Sequence, residues 1–183
     1  MGNVSERRKQ PPQVGVSVVI LALGPVPQSD VGAGAASSGM GSTLWMPLVK
    51  RVRQPFLGQW ALPGGGLRAD HSLEQSAYAA LESTTSLHPK YLEQLYTFGD
   101  PARSHGGLPM VSIVYWALVG EADGRIDFAG GDNVKWFPVN HLPELAFDHR
   151  TIVEYAMNRL RGQIASPDIA TRLAGERLTL SQL

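Results

Sequence analysis

The stretch most suggestive of chemistry is the glycine run Gly64–Gly66, which is predicted to form a turn that leads from an apolar segment into a helix. Glycine leaves backbone amides open to a ligand, and a helix N-terminus adds a positive dipole end, so this arrangement is typical of phosphate sites. The helix carries few of the carboxylates that would hold Mg²⁺, an ion that prefers oxygen ligands in octahedral geometry. The sequence therefore predicts that Gly64, Gly65 and Gly66 bind phosphate groups without a metal.

Cationic and aromatic residues precede the glycines. Arg51 and Arg53 could neutralise phosphate charge, since a guanidinium forks onto phosphate oxygens, although each could equally be an exposed strand cation. Phe56 and Trp60 could offer a stacking face to a base. Core packing is the favoured interpretation for Trp60, and both interpretations stay open for Phe56.

The elements that position these residues follow from the apolar pattern. A continuous apolar run from Val14 to Leu23 predicts a central strand buried on both faces. A helix is predicted from about Leu73 to Thr85. Ser72 is its predicted N-cap, and Gln75 completes a capping box. The segment Pro25–Ser42, rich in Gly, Ala, Ser and Pro, predicts a mobile loop. Further strands are predicted in TLWMPLVKRV, YLEQLYTFGDP, LPMVSIVYWALVG and VKWFPV.

Composition limits the class of protein. A chain of 183 residues suits one domain plus an appendage, and equal totals of 16 basic and 16 acidic residues give no global charge that would steer it to nucleic acid or membrane. With no cysteine, disulfides and thiolate metal sites are excluded. No apolar run reaches the roughly 20 residues that span a bilayer. A cytoplasmic protein is expected.

The glycine run and the helix together resemble the box of the Nudix hydrolases, G-x5-E-x7-R-E-U-x-E-E-x-G-U, where U is a bulky aliphatic residue. Counted from Gly65, the frame keeps Leu81 and Leu87 at its aliphatic positions. It loses every functional side chain, because the acids, the arginine and the last glycine fall on His71, Ala79, Ala80, Ser83, Thr84 and Ser86. A lone histidine such as His71 is more often a surface residue than a ligand. The degenerate box predicts a domain without a metal site and without catalytic residues.

The chain as a whole resembles the Nudix-related transcriptional regulators of NAD metabolism, through LYTFGDPARS, VSIVYWALV, WFPV, LPELAFDH and HRTIVEYAMNRLRGQIASPDIATRL. The resemblance implies a Nudix α/β/α sandwich with a mixed sheet over residues 14–147, after a disordered tail at 1–13. It also implies connecting helices and an incomplete winged helix-turn-helix module over 148–183. Trp136, Phe137 and Leu142 are expected to pack where the two parts meet.

The same resemblance implies the partners. A catalytically inactive Nudix domain would sense ADP-ribose, with Arg103 in a ligand loop as a contact to ribose or phosphate, unless it is only an exposed loop arginine. A homodimer would bind operator DNA as a repressor. From His149 to Leu183 there are five arginines against three acids, and the candidates for DNA contact are Arg150, Arg159, Arg161 and Arg172. A solvated helix face is the plainer interpretation of that surplus.

Alternatives stay open at this level. An active ADP-ribose pyrophosphatase could use Asp70, Glu74 or Glu82 in an altered site for Mg²⁺, and a structural dimer module would bind no ligand. The family continues beyond the position of Leu183 with a recognition helix and a wing. Either the chain is cut short, or the protein has lost DNA binding.

Overall fold

The computed structural model describes residues 11–27, 42–89, 92–104, 109–120 and 123–164. Within these ranges the chain forms seven strands, two α-helices and two single 3₁₀ turns, the latter at Pro101–Ser104 and Val139–His141. The strands are β1 (Gln13–Pro25), β2 (Ser42–Lys50), β3 (Trp60–Ala61), β4 (Gly64–Gly66), β5 (Glu93–Phe98), β6 (Met110–Val119) and β7 (Val134–Pro138). The helices are α1 (Leu73–Thr85) and α2 (His149–Ile164).

All seven strands join one mixed sheet in which β1 is central. The order is β3-β2-β1-β6-β5, with β4 also paired to β1 and β7 paired to β2. The long pairing of β1 with β6 is parallel, from Gln13 opposite Met110 to Ala22 opposite Val119, and the other pairings are antiparallel. Every residue of β1 from position 15 to 22 is buried. The prediction of a central strand buried on both faces is confirmed.

One helix covers each face of the sheet. On one face, α2 contributes Ile152, Val153, Ala156, Met157 and Leu160 to the core that contains Val19 and Leu21 of β1. On the other face, α1 contributes Ala77 and Leu81 to the core that contains Val16, Val18 and Ile20. The predicted α/β/α sandwich with a mixed sheet is confirmed over the described residues.

The alternation of side chains along β7 contradicts one prediction about core packing. Phe137 and Leu142 pack against the core on the α2 side, as expected. Trp136 belongs to the core on the α1 side, because successive side chains of a strand point to opposite faces of the sheet. The expectation that Trp136 packs toward the C-terminal helices is therefore wrong.

Helix α1 begins and ends at the predicted residues because its start carries a strong local signal. The Ser72 hydroxyl accepts from the Gln75 amide, and the Gln75 side chain accepts from the Ser72 amide, so the capping box is present. Ser86 caps the C-terminus of the helix, with a left-handed φ of 56° and an amide that donates to the Glu82 carbonyl. Ser86 stands where the Nudix box has its last glycine, the residue best suited to that conformation.

Several predictions fall outside the described residues. They concern the tail up to residue 10, most of the Pro25–Ser42 loop, and everything after residue 164, including Arg172 and the start of a winged-helix module. The tail was predicted to extend to residue 13, but Gln13 is already the first residue of β1. Among the helices that the structure describes, none has the length and apolar character needed to span a membrane.

Candidate functional site

The glycine run is a strand and not the predicted turn into a helix. Gly64–Gly66 pair antiparallel with the start of β1, and residues 67–72 separate them from α1. A Cβ at Gly64 would lie 2.2 Å from the Val16 carbonyl oxygen, and its φ of 152° also favours glycine, whereas a Cβ at Gly65 or Gly66 would meet open space. The close contact with β1 explains why residue 64 is a glycine. Gly65 and Gly66 leave an exposed backbone surface.

The N-terminus of α1 is occupied by its own side chains. The Gln75 amide donates to Ser72 Oγ at 3.1 Å, and the Ser72 amide donates to Gln75 Oε1 at 2.8 Å. Glu74 already places a negative charge in the first turn. A phosphate at the glycines would therefore be held by β4 itself, and the prediction that these glycines bind ligand stays a prediction.

The acid positions of the Nudix box that fall within α1 are chemically inert here. Ser83 Oγ and Thr84 Oγ1 both donate to the Ala80 carbonyl oxygen, at 3.1 and 2.7 Å. Ala80, at the remaining acid position of this helix, is half-buried and offers no ligand atom. No group of three or more His, Asp or Glu that could hold a metal ion occurs in the described part of the chain. This surface of α1 lacks the donor set that Mg²⁺ requires.

Arg51 and Phe56, two of the predicted ligand residues, both contact Phe147, which was not predicted to belong to the site. The Phe56 ring lies edge-on to Phe147 with centroids 4.8 Å apart, and the Arg51 guanidinium lies 4.6 Å over the Phe147 ring. Phe56 and Phe147 both have left-handed φ values, 63° and 55°, a conformation that costs bulky residues roughly 1–2 kcal/mol each. Arg51 Nε also donates to the Pro55 carbonyl at 2.8 Å. The three side chains form one half-buried cluster beside the hairpin of β2 and β3.

The other two candidates near the glycines do not join that cluster. Trp60 packs against the core on the α2 side, with its ring 5.1 Å from that of Phe137, which is the packing the sequence favoured. Arg53 is exposed, and its carbonyl accepts from Arg51 Nη2 at 3.5 Å. Of the two, Arg53 has the side chain accessible to an anion.

Arg103 is buried, so neither sequence interpretation describes its surroundings. Its side chain is 7% exposed and forms a two-pronged ion pair with Asp148, with Nε–Oδ2 at 2.8 Å and Nη2–Oδ1 at 2.9 Å. Its Nη1 donates to the carbonyl oxygens of Phe98 and Met110 and to Ser112 Oγ. Burial alone would raise the pKa of Asp148, but the hydrogen bonds and charge of Arg103, aided by His149, hold that pKa below its ordinary value.

His149 is the first residue of α2 and is also buried. Its Nδ1 accepts a hydrogen bond from the Leu62 amide at 3.0 Å, so the proton of the neutral ring is on Nε2. Burial lowers the pKa of His149 to about 4; Asp148 opposes this effect, and the charges of Arg103 and Arg51 add to it. The helix is thereby tied to the residue two positions before Gly64.

The candidate DNA-contacting arginines that the structure describes do not form one patch. Arg150, Arg159 and Arg161 are all exposed on α2. Arg150 Nη2 donates to the carbonyl oxygens of Leu142 and Pro143. At about 100° per residue, Arg150 and Arg161 share a side of the helix, and Arg159 points to the opposite side. A single DNA-facing surface of α2 cannot include all three, and their role in DNA binding stays a prediction.

Sequence reasoning missed three residues of this region: Phe147, Asp148 and His149. They follow one another at the boundary between an apolar segment and an amphipathic helix. An acid and an imidazole side by side at that boundary were the available signal. Their partners could not be read locally, because Leu62 and Arg103 lie 87 and 45 positions away.

Comparison with known proteins gives the family. Residues 32–156 match the model of the NUDIX domain. The chain is 33% identical to an ADP-ribose pyrophosphatase of Methanocaldococcus jannaschii over 63% of this chain and 67% of that protein. It is 28% identical to the ADPR responsive transcriptional repressor NtrR of Acinetobacter baylyi over 74% of this chain, but spans only 56% of that repressor.

Solved structures of a third relative match the fold. The NUDIX domain of Shewanella oneidensis NrtR in complex with ADP ribose aligns with a TM-score of 0.60 and 33% identity, over 82% of this chain and 90% of that one. NrtR in complex with a 27mer DNA aligns with a TM-score of 0.65 and 28% identity, over 92% and 78%. The chain therefore belongs to the Nudix family, with a degenerate Nudix box, and is similar in sequence and fold to the ADP-ribose-responsive repressors of that family.

Proposed function

We propose that this chain senses ADP-ribose, or a closely related nucleotide, for a transcriptional repressor of NAD metabolism genes, and that it binds this ligand without hydrolysing it. The observation that carries the proposal is the Nudix frame in which Ala80, Ser83 and Thr84 replace the metal-binding acids. The similarity to repressors that respond to ADP-ribose supports it. In this proposal ADP-ribose is the effector, and binding needs no metal.

The ligand contacts follow from the exposed groups near the glycines. The backbone of Gly65 and Gly66 and the guanidinium of Arg53 are accessible to a diphosphate. In this proposal Arg51 and Phe56, which both contact Phe147, supply a cationic and aromatic surface for the same ligand. Polar backbone and arginine are sufficient to bind a pyrophosphate, since charge neutralisation does not require the metal that bond cleavage requires.

Calorimetry tests binding, and product analysis tests hydrolysis. We expect ADP-ribose to bind with the same affinity in EDTA and in Mg²⁺, and Arg53→Ala to weaken it. The matched control is Arg125→Ala, which removes an exposed arginine between β6 and β7. No heat from the unmodified chain at high micromolar ADP-ribose would contradict the proposal.

The DNA half of the proposal concerns residues 148–183 and the dimer. We propose that this segment begins a winged-helix module, that the active form is a cytoplasmic homodimer, and that operator DNA is its partner. The match to NrtR in complex with DNA supports this. An electrophoretic mobility shift with DNA from the protein's own promoter, at two salt concentrations, is the test. Binding must weaken as salt rises, because phosphate contacts release counterions.

An active hydrolase is the second candidate, and the similarity to the pyrophosphatase of Methanocaldococcus jannaschii favours it. The remaining acids of the region do not converge. Asp70 is held in an exposed ion pair with Arg68, and the hydrogen bonds of Arg68 lower its pKa. Glu74 and Glu82 are eight residues apart on α1, which separates them by about 12 Å along the helix axis. Release of AMP from ADP-ribose with Mg²⁺ or Mn²⁺, abolished by Glu82→Gln, would establish hydrolysis in place of sensing.

A further inference from the structure

A bridge of three polar side chains joins the glycine strand to the start of α2. The bridge consists of Arg103, Asp148 and His149. His149 Nδ1 accepts from the Leu62 amide at 3.0 Å, and Leu62 lies two residues before β4. Arg103 holds both carboxylate oxygens of Asp148, at 2.8 and 2.9 Å. Asp148, just before α2, and His149, its first residue, are thus fixed to two different parts of the domain.

The guanidinium of Arg103 donates hydrogen bonds through all three of its nitrogen atoms. Nε and Nη2 hold Asp148, and Nη1 contacts three oxygens: the Phe98 carbonyl at 3.1 Å, the Met110 carbonyl at 3.1 Å and Ser112 Oγ at 2.9 Å. Arg103 therefore ties the end of β5 and the start of β6 to α2. A side chain so placed positions the groups that it contacts.

The bridge is attached to the domain at two places, one on each side of β4 and at different distances from it. At one end is Leu62, in the chain just before Gly64. At the other end, Ser112 lies opposite Gly15 of β1, and Gly15 lies opposite Gly66. With strands about 4.8 Å apart, Ser112 and Gly66 are separated by roughly 10 Å across the sheet. A ligand that shifts β4 acts on both attachments of α2.

Both attachments hold the first turn of α2, so a small tilt there displaces the opposite end of the helix. A helix of 16 residues is about 24 Å long. A tilt of about 5° at its first turn therefore moves its last turn by roughly 2 Å. A buried ion pair with this many hydrogen bonds holds one geometry, so it fixes the helix start in one defined position.

We propose that the Arg103–Asp148–His149 bridge transmits occupancy of the glycine strand to α2, and that Arg103 is a positioning residue of this bridge. The inference rests on the proposed function, since it takes ADP-ribose as the ligand. Transmission requires that ADP-ribose has different affinities for the protein with the helix start in this position and with the helix start displaced.

Hydrogen–deuterium exchange on the full chain, with and without ADP-ribose, tests the inference. In the unmodified protein, ADP-ribose changes exchange both at residues 62–66 and in the first turn of α2. Arg103→Lys keeps the charge but loses the two-pronged geometry. This variant keeps its affinity for ADP-ribose and its response at residues 62–66, and it loses the response in α2. Asp148→Asn gives the same result, and Arg125→Lys, the matched control, retains both responses.

The outcomes separate the two proposals. Binding of ADP-ribose to the unmodified chain without any change in α2 overturns the bridge and leaves the sensor intact. An Arg103→Lys variant that loses affinity for ADP-ribose and keeps the α2 response shows a ligand contact, and also overturns the bridge. Absence of ADP-ribose binding to the unmodified chain overturns the proposed function and the bridge together.

Discussion

The buried imidazole of His149 makes the stability of this protein depend on pH in the mildly acidic range. Its pKa is about 4 in the folded chain, against 6.5 for an exposed histidine. The unfolded chain therefore takes up a proton first as pH falls, so the free energy of unfolding decreases from about pH 6.5 and continues to decrease down to pH 4. Asp148, Arg103 and Arg51 are the charged groups that act on the ring.

The size of the effect follows from the shift. A difference of about 2.5 pKa units corresponds to about 3 kcal/mol, and about 2 kcal/mol of this is already lost at pH 5. Asp148 adds no slope at pH 5, because its folded pKa lies below the ordinary value of 3.8 and its carboxylate stays charged in both states. Protonation would also remove the acceptor of the Leu62 amide, so the two effects have the same sign.

Urea unfolding of the unmodified chain and of His149→Asn, at pH 7 and pH 5, measures the effect. Asparagine retains an oxygen that can accept from the Leu62 amide, but it does not titrate. We expect the unmodified chain to lose about 2 kcal/mol more than the variant between the two pH values. All other titrating groups are common to both proteins and cancel. Equal losses in the two proteins would refute the account of a neutral, desolvated ring.

Three further predictions concern stability and are measured by urea unfolding. Ser86→Gly relieves a left-handed φ of 56° and should stabilise the chain by about 1 kcal/mol, whereas Ser83→Gly, inside α1, should destabilise it by a similar amount. Gly64→Ala should cost more than about 2 kcal/mol because its Cβ would meet the Val16 carbonyl, while Gly66→Ala, in open space, should be nearly neutral. Arg103→Ala should cost about 3–5 kcal/mol by leaving Asp148 unpaired, against less than about 1 kcal/mol for Arg68→Ala in an exposed pair. A loss of stability in Ser86→Gly would contradict the first prediction. Equal costs for Gly64→Ala and Gly66→Ala would contradict the second, and equal costs for Arg103→Ala and Arg68→Ala would contradict the third.

The elements were predictable where the signals are local. Helix α1 runs over the residues that the sequence predicted, because Ser72 and Gln75 form its cap within four positions. The run from Val14 to Leu23 was identified as a central strand because it lacks polar alternation, a property of a strand covered on both faces. For such elements the neighbouring residues contain the decisive information.

The site was less predictable because its contacts are distant in sequence. The glycine run resembled a turn until it was paired with β1, nearly fifty residues earlier. Arg103 in a polar loop gave no local sign of burial, which depends on Asp148, 45 positions away. The loss of the Nudix acids, by contrast, could be read directly, because a motif frame needs only the spacing of residues along the chain.

The parallel pairing of β1 with β6 has a consequence for synthesis of the protein. The partners Gln13 and Met110 are 97 positions apart, as 110 minus 13 shows. At about 5–20 residues per second, the ribosome needs roughly 5–20 s to add β6 after β1 has been made. During that interval the central strand of the sheet lacks its long parallel partner, so β1 is the segment that we expect a chaperone to bind on the nascent chain.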